Sequence, residues 1–185
     1  TIAEMGMSAS IREIARRCGL TGNALYHYFP TKAELVDAIT TRNYEEFFGH
    51  LEVGARRGDT LADDLLGVVD ALEEFIEERP WFPLVLVRTI PGVFRRSPPM
   101  PPAATRLADL LADRAMGRGE MRSNDREHLE GLVAVLLMGL TLSGPSVRVA
   151  AYDGVRWTIE QLRSRGFPPP ARSSDSGTIR RPRST

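Results

Sequence analysis

The stretch SIREIARRCGLTGNALYHYFPTK, Ser10 to Lys32, decides the fold. Ser10 and Glu13 are spaced as a capping box, in which a hydroxyl and a carboxylate take up free N–H groups of a first helical turn, so a short helix should begin at Ile11. Gly19 offers the left-handed conformation that ends such a helix. Thr21 caps a second helix, GNALYHYF, which Pro30 closes after about two turns. Thr31 and Glu34 then repeat the capping box, and a third helix should start at Lys32.

Helical spacing sorts the second helix into two faces: Ala24, Leu25, Tyr28 and Phe29 on one, Gly22, Asn23, Tyr26 and His27 on the other. With Ile14, Ala15 and Leu20 to meet it, the first face packs and the second points outward. Two short helices joined through Cys18 to Thr21 in this way make a helix-turn-helix. Such a unit lays its second helix in the DNA major groove, while flanking donors and helix N-termini hold phosphates. Asn23 carries the donor and acceptor that match adenine; Tyr26, His27 and Lys32 suit phosphate. Lys32 is the only lysine in a chain with 24 Lys and Arg in all. It falls in the first turn of a capped helix, where backbone N–H groups already favour an anion. The plainer reading, YHYF as a packed aromatic core, is weakened by a periodicity that sets Tyr26 and His27 opposite Leu25 and Phe29.

The segment Ser10 to Ile39 resembles the tetracycline-repressor (TetR) family of transcriptional regulators, above all in LYHYF followed by Lys32 and Leu35. The resemblance implies an N-terminal three-helix DNA-binding domain and a variable helical domain that binds a small-molecule effector and forms a homodimer through its last two helices. It places Ser10, Thr21, Gly22, Asn23, Tyr26, His27 and Lys32 where members commonly touch an operator in double-stranded DNA. Members carry a full first helix ahead of this unit, whereas only TIAEM precedes Gly6 here, so further residues are expected upstream of Thr1.

The rest of the chain reads as helix, giving an all-α class: a DNA-binding domain over 1–42, a helical effector-binding and dimerisation domain over 43–167, and a disordered tail rich in proline, serine and arginine over 168–185. A long helix should run from Lys32 to about Arg57, with Leu35 and Ile39, then Tyr44, Phe47, Phe48 and Leu51, facing inward. Thr60 opens a strongly amphipathic helix through Ile76, and Trp81 to Ile90 forms a shorter one. Pro91 to Pro102 reads as a loop or lid. A further helix runs to the glycines at 117 and 119, and Asn124 with Glu127 signals the next start. Leu132 to Leu142 is apolar on nearly all sides and so needs burial against a second copy. The last helix should bury Val147, Ala151, Val155, Ile159 and Leu162.

Lys and Arg balance Asp and Glu at 24 each, which argues against a polycation but leaves room for a local basic face. No apolar run approaches the roughly 20 residues that a bilayer crossing needs, and no leader pattern is seen, so a cytoplasmic protein is expected. Cys18 is alone and reads as a helix-packing residue; His50 and His128 lack neighbours at metal-ligand spacing. No nucleophile elbow, phosphate loop or acid/base pair stands out, so neither an enzyme nor a bound cofactor is expected. Phe47, Phe75, Trp81, Phe82, Met100, Met116 and Met138 are candidates to line an effector cavity, with Arg88 as partner for an anionic effector. Two other readings compete: a regulator with no small-molecule effector, and a helical carrier or enzyme whose helix-turn-helix is vestigial.

Overall fold

The computed structural model describes residues 9–84 and 102–164. All regular structure among them is helical: α1 (Ile11–Arg17), α2 (Gly22–Tyr28), α3 (Lys32–Ala55), α4 (Leu61–Glu78), α5 (Pro102–Gly117), a 3-10 turn (Ser123–Asp125), α6 (Arg126–Thr141) and α7 (Pro145–Ser164). Of the helix expected from Trp81, only Phe82 to Leu84 are described as helical. The rest of it, nearly all of the lid at 91–102, the tail and the residues ahead of Ala9 lie outside the described residues.

The helix starts follow the cap residues. Ser10 Oγ accepts the Glu13 N–H at 3.2 Å, Thr21 Oγ1 that of Ala24 at 3.2 Å, Thr31 Oγ1 that of Glu34 at 3.2 Å and Thr60 Oγ1 that of Asp63 at 3.1 Å. Gly19, at φ 71°, ends α1 with a Schellman pair: Leu20 N–H donates to Ala15 O at 2.8 Å and Gly19 N–H to Arg16 O at 3.2 Å. Gly119, at φ 73°, closes α5 the same way. The expected start at Asn124 is displaced. A 3-10 turn intervenes, in which the Asp125 carboxylate accepts the Arg122 N–H at 3.3 Å just before α6.

Two hydrophobic clusters form. Ala9, Ile11, Ile14, Ala15, Leu25 and Leu35, with half-buried Phe29 and Ile39, hold α1 and α2 against the start of α3. The larger cluster begins at Phe47 and Phe48 on the same helix and takes in the inward faces of α4 to α7. Where α3 crosses α4, Gly54 and Gly67 lie back to back: a Cβ on either would overlap the carbonyl oxygen of the other. The corner between these helices is fastened to α5 by Asp64, which is fully buried. Arg114 donates to its carboxylate from Nε at 2.9 Å and Nη2 at 3.0 Å, and Arg118 from Nη2 at 2.5 Å. Arg114 also donates to Gly58 O at 2.7 Å, and Leu61 N–H donates to the Glu120 carboxylate at 2.7 Å.

The last helix is turned from its expected setting. Tyr152 and Ile159 are its buried residues, while Val147 and Leu162 are exposed at 57% and 40%. Ion pairs explain the rotation. Arg163 pairs with Asp63, and Arg156 with Asp70 and Glu73, which docks α7 antiparallel on α4 with its arginines inward at the edges. Helix α6 is tied elsewhere, by Arg126 to Asp109 and Asp113 of α5. Helix α7 therefore packs chiefly on α4 and α6 chiefly on α5, with only a small contact between the two.

Two substitutions test these fastenings. Asp64→Asn leaves two arginines facing a group that no longer neutralises them, and should lower the unfolding free energy by about 3 kcal/mol in denaturant titration. Gly54→Ala should cost about 1–3 kcal/mol in the same measurement, by overpacking the crossing.

Candidate nucleic-acid interface

Helix α2 has seven residues, and Leu25 is the only one buried, with half-buried Phe29 one turn on. These two define its inward direction. At about 100° per residue, His27 and Asn23 point close to the opposite direction, while Tyr26 and Tyr28 stand about 80° from the inward direction on either side. Asn23, Ala24, Tyr26, His27 and Tyr28 are all exposed. The outward set is thus a polar and small centre, Asn23, Ala24 and His27, flanked by two tyrosines.

That arrangement corrects part of the expected packing face. Ala24 is exposed and Tyr28 is 74% exposed, its ring set edge-on to His27 at a centroid distance of 5.3 Å. A two-turn helix resting on α1 and the start of α3 has room inward for one stripe only, and Leu25 with Phe29 fills it. Leu20 and Cys18 are likewise exposed, because they sit on the turn outside the cluster rather than between the helices. Tyr28 is the outward residue that periodicity alone assigned to the core. The shortness of α2, already set by Thr21 and Pro30, was the signal that would have placed it outside.

The other expected residues are placed by helix starts. Gly22 is half-buried, and a Cβ there would stand 3.2 Å from Arg12 Cγ, so glycine lets the first turn of α2 lie against α1. Ser10 and Thr21 are exposed, with their hydroxyls engaged as caps. Lys32 is half-buried in the first turn of α3, next to the capping Thr31. Thus Asn23, Tyr26 and His27 share one exposed face, while Ser10, Thr21 and Lys32 mark the starts of three successive helices.

Charge on α1 is arranged around Glu13. Its carboxylate accepts from Arg16 Nε at 3.0 Å and Nη2 at 2.8 Å and from Arg17 Nε at 3.2 Å. Hydrogen bonds from Arg16, then Arg17, hold the Glu13 carboxyl at about 2. A depressed carboxyl stabilises the fold above its ordinary value of 4.5 and loses that contribution as pH falls towards 2.

In the body, the candidate effector residues separate. Phe47, Phe75 and Phe82 are buried and pack on one another with ring centroids 4.8 to 5.2 Å apart. Trp81 lies at the rim of this group, Met116 is half-buried against the core, and Met138 is 47% exposed on α6. Arg88 and Met100 lie outside the described residues. A cleft of about 1110 Å³ opens elsewhere, between α6 and α7 over Leu61 and Leu65, with Leu136, Gly139, Ala151 and Val155 in its walls. None of the described candidates lines it. Periodicity within single helices carried no sign of it, since the cleft exists because α6 and α7 dock on different helices.

A capped two-helix unit with an exposed polar and aromatic second helix, followed by a helical body, has the form of a helix-turn-helix, a unit that lays its second helix in the DNA major groove. Residues 1–39 match the family described as bacterial regulatory proteins, tetR family. The chain is also similar to the nucleoid occlusion factor SlmA of Actinobacillus pleuropneumoniae serotype 5b (strain L20) and serotype 3 (strain JL03). Each is 28% identical over 79 residues, which is 42% of this chain and 39% of the relative. The match thus spans about two fifths of the length of these curated relatives. The likeness to the tetR family of bacterial regulatory proteins lies in the N-terminal unit, residues 1–39.

The brace on α1 is open to direct measurement. An NMR titration should place the Glu13 carboxyl near 2, and Arg16→Ala should move it back towards 4.5. A wild-type midpoint in the ordinary carboxylate range would mean that the two arginines do not hold it.

Proposed function

We propose that the protein is a homodimeric repressor that binds a pseudo-palindromic operator with the outward face of α2 and lets go when a small-molecule effector changes the spacing of its two reading heads. The observation that carries the DNA part is the exposed set Asn23, His27 and Tyr26 opposite Leu25, with Lys32 at the following helix start. Asn23 and His27 face the groove floor. Tyr26 and Tyr28, one on each side, reach towards the two backbones, and Ser10, Thr21, Gly22 and Lys32 supply further contacts at helix starts.

The dimer reading rests on uncovered apolar surface on α6 and α7. Val135 is 71% exposed, Trp157 62%, Val149 68% and Leu132 47%. With Met138, Leu142, Val147 and Leu162 they leave on the order of 800 Å² open, the contribution of one partner to a standard interface. Two heads joined this way fit successive major grooves about 34 Å apart, and an effector that prefers another spacing weakens binding by population shift. The long helix α3 would carry the change to the heads. A second reading, a regulator with no small-molecule effector, is favoured by the close packing of Phe47, Phe75 and Phe82, which fills the space where an effector was expected.

Selection of bound fragments from genomic DNA, followed by binding measurements on variants, tests the DNA part. Asn23→Ala should change which sequence is preferred. Lys32→Ala should weaken all sequences alike and lower the salt slope by about 1. Operator binding untouched by alanine at Asn23, Tyr26 and His27 would remove those residues from the interface. Analytical ultracentrifugation should show a dimer at micromolar concentration that Trp157→Asp with Val135→Asp converts to monomer; a wild-type monomer would contradict the dimer. Failure of a metabolite library to alter operator binding would favour the second reading.

A further inference from the structure

We propose that Glu13 restrains sequence-independent DNA affinity: it holds the guanidinium forks of Arg16 and Arg17 along α1, where DNA phosphates would otherwise take them. This rests on the DNA-binding reading above and gives α1 a part in it beyond the Ser10 cap.

Helix α1 buries Ile11, Ile14 and Ala15, which set its inward direction. At about 100° per residue, Glu13 and Arg16 each stand about 150° from that direction, on either side of the outward pole, and Arg17 stands about 115° from it on the Glu13 side. Arg12 lies on the Arg16 side, one turn earlier. That flank is the one α2 approaches, since a Cβ on Gly22 would stand 3.2 Å from Arg12 Cγ. The first helix of a helix-turn-helix crosses the DNA backbone while the second lies in the groove. Cations on the outward and α2-side surfaces of α1 are therefore placed among phosphates.

The Glu13 carboxylate already engages them. It takes Arg16 side-on, Oε2 accepting from Nε at 3.0 Å and Oε1 from Nη2 at 2.8 Å, and Oε1 also accepts from Arg17 Nε at 3.2 Å. The occupied edge of Arg16 is the planar two-point edge by which a guanidinium grips phosphate. A phosphate gains Arg16 only by displacing the acid, and the displaced carboxylate then stands beside it with like charge. Fold stability does not account for the arrangement. The Arg16 and Arg17 side chains are 72% and 39% exposed, and pairs so exposed contribute little, while the Ser10 cap and three buried side chains hold α1.

On an operator, base contacts from α2 fix the register, so forks released from Glu13 would reach only the phosphates that lie near them. On random DNA the head shifts to wherever the forks fit. Glu13 thus withholds more affinity from random DNA than from the operator and sharpens the choice between them.

Binding of the full chain to a random-sequence duplex and to a selected genomic fragment, each across a series of salt concentrations, tests this. Glu13→Gln should steepen the salt slope on the random duplex by about 1 to 2 and tighten binding there by about tenfold at about 0.1 M salt, with a smaller gain on the genomic fragment. Glu13→Ala should do the same, and Glu13→Asp, which keeps the charge, should stay near wild type. Adding Arg16→Ala and Arg17→Ala to Glu13→Gln should abolish the gain. A merely structural Glu13 would instead weaken binding to both duplexes in the neutral variants, with a lower melting temperature and no steeper slope, and that result overturns the proposal. So does a slope on the random duplex that ignores Glu13, or a gain on the genomic fragment as large as on the random one. Wild type and variants alike without salt-dependent affinity for either duplex contradict the DNA-binding reading itself, and the proposal falls with it.

Discussion

Helix α3 enters two hydrophobic clusters that share no residue. Leu35 and Ile39 close the small cluster under α1 and α2, and Phe47, Phe48 and Leu51 begin the large one in the body. The seven-residue helices α1 and α2 are far below the length at which an isolated helix persists in water, so their stability comes from packing on the start of α3. The outward face of α2 is therefore only as well placed as α3. This 24-residue helix thus joins the two clusters, with the body at one end and α1 and α2 at the other.

The body is held by interactions of unequal strength, and the difference matters for motion. The Asp64 carboxylate, out of reach of water and bound by two guanidinium groups, is costly to break and fixes the α3–α4 corner. The pairs that dock α7 on α4 through Arg156 and Arg163, and α3 on α5 through Arg106, are more exposed and cheaper to rearrange. Because α6 and α7 are tied to different neighbours, the surface between them stays open as an apolar cleft.

Local chemistry made much of this readable before any coordinates. Hydroxyl caps at Ser10, Thr21, Thr31 and Thr60 and left-handed glycines at 19 and 119 set helix ends, because such ends depend on a few adjacent residues. Features that depend on neighbours far along the chain were harder to read. Its spacing from Leu25 points Tyr28 inward, yet a two-turn helix buries one narrow stripe and Tyr28 stays exposed. The rotation of α7 follows from acids on α4 some 80 to 100 residues away, which no window within α7 contains. Phe47, Phe75 and Phe82 looked like cavity lining because large aromatics serve both uses; their mutual packing decides for core at these positions.

The central claim is that the outward face of α2 enters the major groove. Hydroxyl-radical and guanine-N7 methylation footprinting on a selected genomic fragment tests it most directly. The account predicts two protected patches related by a dyad, their centres about 10 base pairs or a multiple apart, with methylation of major-groove guanines blocking binding. Binding that ignores N7 methylation, or protection confined to the minor groove, would contradict it.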